Sequence, residues 1–158
     1  MEGEIQPEMT NTLKNNELVT GITILAVLRY THRLNILKCL LIEPLLSYTE
    51  VLSALSRKNS SIKSIDDLII KRSIAFSNFS ERYFENLILS INSIMLFQQM
   101  KLLNIEDDKV VYCGEKFNFS DSSLGKIVEK RIKAAEHLAT ILCKGEASDM
   151  YLALRIRL

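Results

Sequence analysis

The sequence predicts a mainly α fold: a winged helix-turn-helix-like helical domain with a small β-hairpin wing and an extended C-terminal segment. Three observations predict it. Apolar residues recur at three-and-four spacing through most of the chain, the period of helices with one covered face. Two short runs, Leu103-Asn104-Ile105-Glu106 and Lys109-Val110-Val111-Tyr112, flank Asp107-Asp108 at the spacing of a hairpin. Near the end, Leu152, Leu154, Ile156 and Leu158 alternate with Tyr151, Ala153, Arg155 and Arg157, a period of two that suits a strand or extended tail, with a short helix from Ser148 as the competing reading.

Residues 1–17 carry Glu2, Glu4, Glu8 and Glu17 against Lys14 alone and read as a flexible acidic arm ahead of a single domain over 18–158. From Leu18 to Tyr30, Leu18, Ile22, Leu25 and Ala26 mark an amphipathic helix. His32 and Arg33 interrupt it. Leu34 to Tyr48 is almost continuously apolar, as expected of a helix covered on most sides, with a kink or split at Pro44 because proline removes a backbone donor. Thr49-Glu50 opens a short helix carrying Val51, Leu52, Ala54 and Leu55, which stops in the polar run Arg57–Ser61. Ser64 or Asp66 starts the next, with Ile65, Leu68, Ile69, Ile74 and Phe76 inward.

Ser80 opens the strongest helix. Phe84, Leu87, Ile88, Ile91, Ile94, Met95 and Leu102 hold helical spacing along it, so it is expected at the centre of the core, and an aspartate at Ile91 is expected to unfold the domain. After the wing, Asp121 or Ser122 caps a helix that turns Leu124, Ile127, Val128, Arg131 or Ile132, Ala135, Leu138, Ala139 and Leu142 inward and ends at Lys144-Gly145. Helix, short helix, long helix and then a two-stranded wing is the order of a winged helix-turn-helix, a fold that reads DNA or docks proteins.

Composition narrows the choice. In 158 residues, 47% are apolar and 25% charged, enough for one globular core. Twenty Lys and Arg oppose nineteen Asp and Glu, a net charge of +1 that lacks the basic excess of a phosphate-gripping domain. The long helix offers Asn86, Asn92, Gln98 and Gln99, but only Arg82 and Lys101 as cations, and Asp107-Asp108 at the wing tip repels phosphate. The start lacks the basic stretch and apolar core of a signal peptide, and no run approaches the roughly 20 apolar residues of a membrane span, so a cytoplasmic chain without membrane contact is expected. Cys39, Cys113 and Cys143, odd in number and far apart, are expected as buried or half-buried reduced thiols.

No enzyme constellation emerges. His32 and His137 lack metal-ligand spacing, five glycines form no phosphate loop, and Asp66-Asp67 beside Ser64 are first-turn acids facing the helix dipole. No cofactor, metal or catalytic residue is expected. Candidate partner-interface residues are Lys126, Lys130 and Lys133, which fall on one side of their helix, although a solvated face laced with i to i+4 pairs such as Glu129 with Lys133 is the favoured reading there. The others are Arg155, Arg157 and Leu158, where paired guanidiniums beside apolar side chains suit a protein interface or an ordinary edge strand.

Three stretches carry a resemblance. Ile36-Leu37-Lys38-Cys39-Leu40-Leu41-Ile42-Glu43-Pro44-Leu45-Leu46, then Ser80-Glu81-Arg82-Tyr83 leading through Leu87-Ile88-Leu89 to Leu102-Leu103, then Arg131-Ile132-Lys133-Ala134-Ala135 running on to Leu154-Arg155-Ile156-Arg157, resemble the middle component of bacterial three-component ABC systems. That family includes the small subunit of Lamassu anti-phage defence complexes, and the likeness covers residues 18–158. It implies a winged-helix-related accessory subunit that works beside an SMC-like or ABC ATPase and an effector, often a nuclease, and meets DNA indirectly through the complex. Family members end in Leu-Gly-Val-Arg-Pro, and Leu154-Arg155-Ile156-Arg157-Leu158 departs from that ending by lacking its Gly and Pro. The expected role is a non-catalytic scaffold that bridges ATPase and effector and helps to control the effector. The alternative is a winged-helix transcriptional regulator that binds an operator as a dimer, and an enzyme with an unrecognised site ranks third.

Overall fold

The computed structural model describes residues 2–158, with side chains described from Asn16 onward. Helix α1 (Glu2–Thr31) leads into strand β1 (Arg33–Asn35) and the short helices α2 (Ile36–Cys39), α3 (Ile42–Leu46), α4 (Thr49–Ser56) and α5 (Ile65–Lys71). A 3-10 turn at Ser73–Phe76 precedes the long helix α6 (Phe79–Gln99) and the hairpin β2 (Leu103–Glu106) and β3 (Lys109–Tyr112). Helices α7 (Lys126–Leu142) and α8 (Ala147–Ala153) complete the chain. The expected arm at 1–17 falls almost wholly on residues whose side chains lie outside the described residues.

The middle of the domain belongs to α1. Every residue from Thr20 to Leu28 is buried, because no charge interrupts the chain between Glu17 and Arg29 and the helix is covered on all sides, chiefly by α6 and α7. Gly21 permits the closest approach: a Cβ there would overlap the ring of Phe97 on α6. Helix α4 closes the other side of α7.

The wing forms as its alternation predicts, with Glu106 opposite Lys109 and Asp107 at φ 55°, a left-handed conformation that aspartate tolerates. A strand the periodicity does not announce completes the sheet. β1 pairs antiparallel with β3, giving the order β1-β3-β2, and Ile36 N–H donates to the Asp108 carbonyl at 2.8 Å. A helix, a strand, a run of helices and a hairpin whose second strand pairs with the first is the winged-helix arrangement, with α6 in the place of the helix that reads DNA.

Several expected elements change. Leu34 lies in β1 and not in a long helix, and the break after α2 comes at Leu40-Leu41 while Pro44 sits within α3, where its missing donor costs no helical bond. The helix expected from Asp121 starts at Lys126, because Gly125 at φ 91° turns the chain first, and this leaves Ile127 exposed in its opening turn. Ile74, expected inward, is exposed on the 3-10 turn. The C-terminal segment is helical over Ala147–Ala153 and not extended. Ala147, Met150, Tyr151 and Leu154 are its buried positions, a helical spacing hidden inside the two-residue alternation. The helix ends at Ala153 with Leu154 as its C-cap, and Arg155 at φ 56° turns the chain away from it.

Candidate docking face

Helix α6 has two apolar faces, and the core takes the less apolar one. Its covered side is Phe79, Tyr83, Ser90, Ser93, Ile94 and Phe97. The two serines are buried, and Ser93 Oγ donates to the Leu89 carbonyl at 2.7 Å. The more periodic stripe faces outward: Phe84 is 44% exposed, Ile88 71%, Ile91 40% and Met95 52%. Ile91 is therefore not a core residue, and the expected unfolding by Ile91→Asp is withdrawn. Steps of four, three and four keep these side chains on one side of three turns. Exposed Glu81, Glu85, Asn92 and Gln99 run alongside the stripe.

A buried tyrosine pair lies under the N-terminal end of the patch. The Tyr83 ring meets Phe84 edge-on at 5.2 Å and Tyr151 of α8 at 5.4 Å. The Tyr83 and Tyr151 hydroxyls lie 2.9 Å apart, and Tyr151 donates to the Leu37 carbonyl at 2.6 Å, which places partly exposed Leu37 next to this cluster. Burial and the hydrogen bond to Tyr83 hold the Tyr151 hydroxyl well above the ordinary tyrosine range, so it stays protonated as a structural donor.

Arg82, one of the two cations expected on this helix, is turned away from the stripe. Its guanidinium lies 3.2 Å from the centroid of Tyr48 and Nε donates to the Pro44 carbonyl at 3.2 Å. Burial lowers its pKa from the usual arginine value. Lys101, just past the helix, is an exposed cation at its C-terminal end, and exposed Arg157 lies by Ser80 at its N-terminal end.

The residues singled out from sequence fall into two places. On α7, Lys126 and Lys133 are exposed, whereas half-buried Lys130 donates to Ser53 Oγ of α4 at 2.9 Å and serves packing. At the C-terminus, Arg155 and Arg157 line a cleft of about 540 Å³ with Ser73, Ser77 and Ser80, and none of the three lysines reaches it. The Arg157 N–H donates to Ser80 Oγ at 3.0 Å, so the backbone is fixed while the guanidiniums stay in solvent, and Leu158 is 91% exposed.

A buried polar network escaped the sequence reading. Arg131 of α7 donates from Nη1 to Glu43 Oε2 at 2.6 Å and from Nη2 to Oε1 at 3.0 Å, a bidentate pair. Thr20 Oγ1 donates to the same carboxylate at 3.0 Å, and Thr23 Oγ1 accepts from Nη1 at 3.4 Å. This pair ties α1, α3 and α7 together. Its signal in the sequence was one acid inside the apolar run Leu40–Leu46 and one arginine on the covered face of the later helix. The cysteines also differ from expectation: Cys39 is buried, but Cys113 and Cys143 are exposed.

Comparisons of the chain with protein-family models, with characterised proteins and with solved structures return no match.

Proposed function

We propose that this chain is a non-catalytic docking subunit, similar in role to the middle component of three-component ABC systems, that bridges an SMC-like or ABC ATPase and an effector subunit of an anti-phage defence complex. The observation that carries the protein-docking part is the outward face of α6. Where a DNA-reading winged helix presents hydrogen-bonding groups to base edges, this one presents Phe84, Ile88, Ile91 and Met95, and withdraws Arg82. The acidic turn Asp107-Asp108 adds repulsion for phosphate. The defence-complex part rests on the sequence resemblance. Among the described residues no single helix is long and apolar enough to cross a membrane, which agrees with the cytoplasmic setting proposed for such a complex.

Arg155, Arg157 and Leu158 form the surface we assign to the larger partners, with exposed Lys126 and Lys133 on a second face. Neither arginine side chain makes an ion pair among the described residues. Reversing both charges, Arg155→Glu with Arg157→Glu, is therefore expected to leave the melting temperature unchanged and to lower co-purification with the co-expressed ATPase or effector at least tenfold, the effect of about 1.4 kcal/mol. Unchanged co-purification with an unchanged melt would remove this surface from the account. A collapsed melt would assign the arginines to the fold.

A further inference from the structure

The outward stripe of α6 has the same spacing read from either end. Phe84, Ile88, Ile91 and Met95 are separated by four, three and four residues, centred between Ile88 and Ile91. We propose that this face is a homodimer interface, in which α6 packs antiparallel on α6 of a second copy about a two-fold axis through that centre.

A two-fold interface requires that if one residue meets another, the reverse contact also occurs. The stripe satisfies this with large apolar side chains at every position. Ile88 meets Ile91 of the second copy at the axis, and Phe84 meets Met95 at both ends, a thioether against an aromatic ring. Charge selects the antiparallel sense. With the helices antiparallel, Glu81 stands across from Gln98, and Glu85 lies near Asn92, so each carboxylate has an amide donor close by. A parallel pair would set Glu81 against its own copy, and it has no ion-pair partner among the described residues to offset that repulsion. At each end, exposed Leu37 adds apolar surface beside the helix. The dimer would display the Arg155–Arg157 corner twice, giving the proposed scaffold two equivalent attachment points. The inference rests on the protein-docking reading in one respect only, that this face meets protein.

Sedimentation equilibrium of the full chain tests it. At about 50 μM, above the micromolar constants expected of an interface at the small end of the specific range, the wild type is expected as a dimer. Ile88→Glu is expected as a monomer with an unchanged far-ultraviolet spectrum, and Met95→Glu should behave alike. Orientation is read with exposed Cys113 and Cys143 changed to serine: Phe84→Cys and Met95→Cys chains should form a disulfide when mixed and not when alone. Like positions lie roughly 16 Å apart along antiparallel axes. A monomeric wild type, a dimer indifferent to Ile88→Glu, or disulfides between like positions would overturn the proposal. A wild-type monomer whose capture by the ATPase or effector is lost in Ile88→Glu would overturn it in favour of a heterologous occupant and leave the docking role standing. Selective DNA binding would sink that role as well.

Discussion

Arg131 and Glu43 show how much a single pair contributes here. Both are buried, and the guanidinium supplies two of the donors that keep the carboxylate satisfied. Replacing Arg131 with Met leaves Glu43 with Thr20 as its remaining donor, and breaking a buried pair in this way costs about 3–5 kcal/mol. Urea unfolding should show that loss, and Arg131→Met combined with Glu43→Leu should recover most of it, because no buried charge then lacks a partner. A loss below about 1 kcal/mol for the single change would mean that water reaches the pair. The cysteines give a second test at this scale. Burial pushes the Cys39 thiol up to about 12, so its reactive thiolate is scarce at neutral pH, while Cys113 and Cys143 are exposed. Iodoacetamide on the native protein should add two labels by mass spectrometry, and a third only in denaturant. Three labels on the native chain would contradict the burial of Cys39.

Between elements, long side chains act as ties. Lys38 of α2 donates from Nζ to the Leu142 carbonyl at 2.7 Å and to the Gly145 carbonyl at 2.8 Å, placing a cation at the C-terminal end of α7 where the helix dipole favours it. Lys38→Met should cost about 1–2 kcal/mol in chemical denaturation, and a change under about 0.5 kcal/mol would show the tie to be dispensable. The elements themselves were unequally legible. The hairpin was readable to the residue because alternation on both sides of Asp107-Asp108 fixes its register. β1 was not, since three residues wedged between two helices carry too little pattern to announce a strand. Helix α6 and its inward Ile94 are legible, but Phe84, Ile88, Ile91 and Met95 are not core residues: periodicity reports an apolar stripe without saying whether the chain itself or another molecule covers it. The true core face was hidden by Ser90 and Ser93, buried polar residues that an apolar pattern does not count. Helix α1 held the opposite clue, an uncharged stretch too evenly apolar for one face.

At the scale of the whole molecule, a mainly helical, winged-helix-like fold turns an apolar stripe of its long helix α6 outward. Of the candidate site, the exposure of Arg155 and Arg157 followed from their charge. The outward stripe and the Glu43–Arg131 network did not, because each depends on which helices meet in space. A net charge of +1 and an acidic wing tip leave little to hold a phosphate backbone. The central claim, that this surface serves protein and not base pairs, is tested most directly by equilibrium binding of the purified full chain to a randomised duplex library at physiological salt, followed by sequencing of the retained fraction. The account predicts no enriched sequence, and residual binding no tighter than about 1 μM that falls steeply as salt rises, the behaviour of non-specific contact. A selected operator bound at nanomolar strength would contradict it, making α6 a recognition helix and the chain a regulator.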